Sequence, residues 1–163
     1  MSWIDDDNDE LKRQQESAAE LSARNHKIAD KAEKIYNDLW AEILSRINEA
    51  KSKGVETARH LTTNGDVFER EIRLGRMSGH AITIPRYDPS ANHPMPDRVN
   101  INLTQDHLGI RASGLQGDPL DFRLDLGDDG VVHIKHKGEA KNIQDAAALI
   151  LRPILYPTLY TAK

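Results

Sequence analysis

The chain has 163 residues, of which 38% are apolar and 29% are charged, and its formal net charge is −4. This composition predicts one domain, or one domain with a helical extension, and excludes a largely disordered chain. The negative charge argues against a general nucleic-acid-binding protein, which needs excess lysine and arginine, and the lack of cysteine excludes disulfides and thiolate metal sites.

Targeting signals are not evident in the sequence. The first residues contain neither a basic stretch nor an apolar run, so we expect no signal peptide. No window approaches the roughly 18 consecutive apolar residues that a membrane-spanning helix needs. The sequence therefore predicts a cytoplasmic protein that binds neither membranes nor nucleic acid.

A long helix is predicted over residues 9–53. The segment has no proline or glycine and consists mostly of good helix formers, and Gly54 follows as a stop signal. Residues 1–8 form an acidic tip that is either disordered or part of the first helical turns. A helix of this size would be roughly 60–68 Å long, so we expect it to need a partner or a break.

The apolar residues of this helix follow a 3-4 spacing between residues 11 and 39, which is typical of a coiled coil. The predicted seam for self-association consists of Leu11, Ala18, Leu21, Asn25, Ile28, Ala32, Ile35 and Leu39. Asn25 could pair with its own copy and define the register of a parallel dimer. Two alternatives stay open: the helix lies along its own sheet, or it folds back as a hairpin near residues 24–26.

After Gly54 the apolar residues alternate with polar ones, which predicts β-strands. Residues 55–63 lead into Asn64-Gly65, a dipeptide typical of tight hairpins, and residues 66–74 and 80–84 are further predicted strands. Residues 86–97 form a proline-rich loop. Residues 98–137 predict an antiparallel meander with one face on a core and the other in water.

A short helix is predicted to begin at Asn142, which forms a capping-box-like pair with Asp145. Pro153 is expected to kink or end this helix. Residues 54–163 therefore form an antiparallel sheet with a C-terminal helix. The predicted fold class is α+β, with a long N-terminal helix, an antiparallel β-meander of about six or seven strands, and a short C-terminal helix packed on the sheet.

Catalytic and metal-binding motifs are not found. The sequence has no Gly-rich phosphate loop and no nucleophile elbow, and its seven histidines lack the spacing of a ligand pair. We therefore predict no metal and no cofactor. The sequence favours a non-enzymatic protein, although an enzyme stays open.

The outward face of the meander is a candidate ligand site. Alternation places basic and amide side chains on this face: Arg98, Asn100, Asn102, Arg111, Arg123, His133 and Lys135, with His107 and Lys137 beside them. Two functional hypotheses follow. The first is a protein–protein interaction or adaptor protein that self-associates through its N-terminal helix as a homodimer or small oligomer. The alternative is a module that binds a small anionic ligand on this face.

Overall fold

The computed structural model describes residues 2–64, 79–85, 97–115 and 119–160. The helices of these ranges are α1 (Trp3–Ser52), α2 (Ile143–Leu155) and α3 (Pro157–Tyr160). The strands are β1 (Thr62–Asn64), β2 (Gly79–Ile84), β3 (Asp97–Leu103), β4 (Gly109–Ser113), β5 (Leu120–Leu126), β6 (Val132–His136) and β7 (Glu139–Lys141). They form one antiparallel sheet in chain order. The predicted α+β fold is thus confirmed.

The helix α1 is continuous. Ser2 caps its N-terminus, because the Oγ atom of Ser2 accepts a hydrogen bond from the backbone N–H of Asp5. The acidic run lies within the first turns, where negative charge is favourable. The hairpin expected as an alternative near residues 24–26 is wrong, since the helix passes through them to Ser52.

The second half of α1 packs on one face of the sheet. Its buried side chains recur every three or four residues: Ile28, Ala32, Tyr36, Leu39, Ile43 and Ile47. The sheet residues that meet them alternate along their strands, as do Val99, Ile101 and Leu103 on β3. The helix α2 lies beside α1 and contributes Ala147 and Ile150 to the same core. The molecule therefore has two layers, a sheet and a pair of helices.

The segment between α1 and β1 differs from the prediction. Instead of an extended strand from residue 55, the chain makes a 3₁₀ turn at Glu56–Ala58. Tertiary packing favours this turn, because Ala58 and Leu61 are both buried and three apart. Asn64 pairs with Ala81 at the end of β1, and Gly65 of the predicted Asn64-Gly65 hairpin lies outside the described residues. The predicted strand at residues 66–74 and residues 86–96 of the proline-rich loop lie outside the described residues.

The C-terminal helix begins as predicted and ends later. The Oδ1 atom of Asn142 accepts a hydrogen bond of 2.7 Å from the backbone N–H of Asp145. Pro153, however, does not end α2, which continues to Leu155. A proline removes only one helical hydrogen bond here, and burial of Ile154 and Leu155 holds the last turn.

Candidate interaction surface

The register of the sheet brings several predicted ligand-binding residues onto one face. Asn102 of β3 pairs with Arg111 of β4, and Arg111 pairs with Asp121 of β5. Two more cross-strand pairs on this face are Arg123 with Lys135, and Asp125 with His133. Arg98 and Asn100 lie on the same side of β3. His107 and Lys137 do not belong to this array, because both lie in turns with φ values of 60° and 51°.

Two of the four arginine and lysine side chains of this face are compensated by neighbouring carboxylates. The guanidinium of Arg111 lies 3.4 Å from Asp121, and the ammonium of Lys135 lies 3.0 Å from Asp125. The ring of His133 lies within hydrogen-bond distance of Asp129, at 3.2 Å. Such exposed pairs contribute little to stability, but they reduce the positive potential of the face. The predicted basic patch is therefore neutralised at Arg111 and Lys135.

Arg98 and Arg123 are exposed and form no ion pair within the described ranges. Arg98 lies at the start of β3. Arg123 lies opposite Gly109 of β4. The oxygen of Gly109 accepts a hydrogen bond from the backbone N–H of Thr104, just after the end of β3, so Arg123 lies near the other end of that strand. The two guanidinium-bearing positions are thus about 20 Å apart along the strand direction. They cannot converge on one small anion.

Near β2 the same face is covered. Ala81 is fully buried there, and Asn100 and Asn102 are only half exposed. The Oδ1 atoms of both asparagines are buried and have no hydrogen-bond partner among the described residues. The expectation that this whole face meets water is therefore wrong at β2 and β3. Burying an amide oxygen without a donor costs free energy of about 1–3 kcal/mol.

The predicted seam of α1 divides into two parts. Ile28, Ala32 and Leu39 are buried against the chain's own sheet, and Ile35 is partly buried beside them. Asn25 is half-buried at the boundary, whereas Leu11, Ala18 and Leu21 are exposed. The alternative that the helix lies along its own sheet therefore describes its second half. Only the part before Asn25 remains accessible to a partner.

The exposed part of α1 extends well beyond the sheet. All residues from 2 to 24 are exposed, and residues 3–24 span about 33 Å at the helical rise. Trp3 is 73% exposed, Ile4 51%, Leu11 52% and Leu21 57%. Ile4 lies seven residues before Leu11, a spacing that could have placed it in the predicted seam. We call Ile4, Leu11, Ala18 and Leu21 the exposed seam.

Arg24 ties α1 to the edge of the sheet where the exposed segment begins. Its guanidinium donates hydrogen bonds to the carboxylate of Asp125 and, at 2.8 Å, to the backbone oxygen of Leu126. Lys135 binds the other carboxylate oxygen of Asp125 at 3.0 Å. Sequence reasoning could not find this anchor, because the partners are 101 residues apart.

The anchor predicts a pH dependence of stability. Hydrogen bonds from Arg24 and Lys135 lower the pKa of Asp125 from 3.8 to about 2. A lowered folded-state pKa stabilises the protein above pH 3.8, and this contribution is lost as the pH falls towards 2. We expect Asp125→Asn to lower the unfolding free energy at pH 7 by about 1 kcal/mol, with the difference vanishing near pH 2.

Urea unfolding from pH 2 to pH 7 measures this difference. Asp128→Asn is the matched control, because Asp128 is an exposed turn residue. An Asp125→Asn variant that stays less stable than the wild type at pH 2 by the same amount would contradict the assigned cause.

Tyr36 links α1 to the centre of the sheet. Its hydroxyl donates to the backbone oxygen of Ile101 at 2.6 Å and lies 2.5 Å from the Nδ1 atom of His80. A hydroxyl carries one hydrogen, so Nδ1 of His80 carries its own and donates it to Tyr36. Trp40 stacks on the His80 ring at 4.4 Å. Burial raises the pKa of Tyr36 well above its ordinary value, so the hydroxyl stays neutral.

Removing this hydroxyl is expected to be costly. Tyr36→Phe removes a buried hydrogen bond to the oxygen of Ile101 and the acceptor of the Nδ1–H of His80. We expect a loss of about 2 kcal/mol in unfolding free energy. Tyr156→Phe is the control, since Tyr156 is 41% exposed. Thermal and urea unfolding of both variants measures the two losses. Equal losses of stability in Tyr36→Phe and Tyr156→Phe would contradict the link.

A cavity of about 540 Å³ lies between the ends of β2 and β3 and the C-terminal helices. Its lining is mainly apolar, with Glu56, His60 and Asp97 as its ionisable groups other than a tyrosine. Across the described ranges, no three histidine or acidic side chains are placed to hold a metal ion.

Comparisons with protein families, with curated proteins and with solved structures found no match. Among the helices that the structure describes, none is both long and apolar enough to cross a bilayer. The functional argument therefore depends on the surfaces of the chain itself.

Proposed function

We propose that the chain is a non-enzymatic interaction protein that self-associates through the exposed seam of α1. One observation carries this proposal: a helical segment of about 33 Å exposes apolar residues along one side and contacts little of its own chain. The side chains of Ile4, Leu11 and Leu21 each remain more than half exposed.

The exposed seam continues the buried stripe of α1 along the same side of the helix. At 100° per residue, its members point to the same side of α1 as Ile28, Ala32 and Leu39, which bury themselves in the sheet. The helix therefore carries one apolar stripe, of which the sheet covers only the C-terminal part. An unfilled stripe on a helix favours packing against another helix.

The chemistry of the sheet face supports the alternative function less well. Arg111 and Lys135 are paired with carboxylates. Arg98 and Arg123, which form no ion pair in the described part of the chain, lie far apart. We therefore do not propose anion binding as the principal function.

The experiment is sedimentation velocity of the full chain over a concentration series, beside two single variants. Leu11→Glu places a charge in the seam, and Ala19→Glu places the same charge at an exposed position on another side of the helix. We expect the wild type and Ala19→Glu to form concentration-dependent dimers and Leu11→Glu to stay monomeric. A monomeric wild type at all concentrations, or equal behaviour of the variants, would overturn the proposal.

A further inference from the structure

We infer that two copies of the chain pair their α1 helices antiparallel, with the N-terminal tip of each helix reaching the sheet edge of the other at Leu126. This inference rests on the proposed self-association and specifies its geometry. It differs from the parallel dimer that Asn25 in the seam suggests.

The sheet itself argues against a parallel pair. It covers the apolar stripe of α1 from Ile28 onward, on the same side as the exposed seam. A parallel partner that packed on the seam would continue along this side with its own residues 28–52. Its helix would then occupy the space of the sheet, so the two bodies would collide.

An antiparallel partner avoids this collision. We place Ile4 of each copy opposite Leu21 of the other, so that the two Leu11 side chains meet near the twofold axis. The first sheet-covered residue of the partner, Ile28, then lies about 9 Å beyond Trp3. The exposed segment of each helix is therefore just long enough to pair with the other, and the twofold axis closes the assembly as a dimer.

The surface at the sheet edge suits the tip of a second helix. An open groove of about 480 Å³ there is lined by the apolar Leu21, Ala23 and Leu126, by Ser17, and by the charged Glu20, Arg24 and Lys27. Ile4 would bring an apolar side chain to the leucines of this groove. Arg24 of the groove is already bound to Asp125, and Glu20 lies level with Asp5 of the tip, so the contact with the groove depends on its apolar side chains.

Charge also disfavours the parallel alternative. Residues 5–24 include seven acidic and three basic side chains, and five of the acidic ones lie between Asp5 and Glu10. A parallel pair places both acidic runs side by side, which is repulsive. The antiparallel pair places them at opposite ends, each level with residues 15–20 of the other copy, where only Glu16 and Glu20 are acidic.

Disulfide crosslinking distinguishes these geometries, because the chain has no cysteine of its own. In the antiparallel pair, Asp7 of one copy lies opposite Ala18 of the other, whereas two Asp7 positions are about 16 Å apart along the helices. That separation exceeds the reach of a disulfide. We expect an equal mixture of Asp7→Cys and Ala18→Cys chains to form a covalent heterodimer, and neither variant to crosslink alone.

An equal mixture of Ile4→Cys and Leu21→Cys chains provides a second test, because these two positions also lie opposite each other in the antiparallel pair. The Asp7/Ala18 pair keeps Ile4, Leu11 and Leu21 in place, so it tests the geometry without removing the large apolar residues. Both mixtures should give the heterodimer under mild oxidation, and reduction should return the monomers.

Each other outcome overturns the inference. Crosslinking of Asp7→Cys or Ala18→Cys alone would show a parallel pair and leave self-association standing. Dimers in sedimentation without any crosslinked heterodimer would show that another surface or register joins them. Monomers in sedimentation would remove the proposed function together with its geometry.

Discussion

Replacing Leu39 by alanine should lower the free energy of unfolding by about 3–4 kcal/mol, the largest loss that we expect from a single substitution. Leu39 is fully buried in the C-terminal half of α1 and belongs to the hydrophobic core. The truncation removes apolar contacts and leaves a cavity that surrounding strands can fill only in part. Urea unfolding followed by circular dichroism measures the loss.

Leu21→Ala is the matched control for this prediction. It deletes the same atoms from the same helix, but Leu21 is 57% exposed. In dilute protein, where self-association does not contribute, we expect a change of about 0.5 kcal/mol or less. Equal effects of the two substitutions would mean that α1 does not pack on the sheet as described.

The second large effect is expected at Gly114, which follows β4. Its φ of +93° is strained for any residue with a side chain, and an added Cβ would clash with the backbone oxygen of Arg98. That oxygen belongs to β3, whose position the sheet determines, so it cannot easily move away. We expect Gly114→Ala to lower the unfolding free energy by about 3 kcal/mol, from strain and overpacking together.

Gly130→Ala separates these two contributions. Gly130 also has a positive φ, of +76°, but open space surrounds the position of its Cβ. We expect a cost of about 1 kcal/mol from backbone strain alone. A Gly114→Ala variant as stable as Gly130→Ala would show that the contact with Arg98 is relieved by a small movement of the turn.

Sequence periodicity predicted the elements whose pattern repeats over several turns or strands. Leu39 and Ile43 lie on one helical stripe, and Val99, Ile101 and Leu103 alternate along one strand, because a helix and a strand present side chains with different periods. Shorter signals were less reliable. The alternation after Gly54 predicted an extended chain, but the chain makes a 3₁₀ turn at Glu56–Ala58, where Ala58 is buried.

For the candidate site residues too, the sequence indicated which residues share a face, and tertiary contacts decided which of them are accessible. The spacing of Leu11, Ala18 and Leu21 indicated an interaction seam, but the same spacing includes Ile28 and Leu39, which the chain buries itself. Periodicity describes a stripe and does not specify what covers it. The outward face was similar: alternation placed Arg111 and Lys135 on it, while their pairing with Asp121 and Asp125 depends on register.

The sequence by itself determined the long helix, the alternating strands and the capped C-terminal helix, because each depends on neighbours a few residues apart. Only the tertiary structure decided where the sheet stops covering α1, since that depends on contacts such as Arg24 with Asp125, 101 residues apart. Such contacts leave no periodic trace in the chain. They separate the part of the apolar stripe that builds the core from the part that is open to a partner.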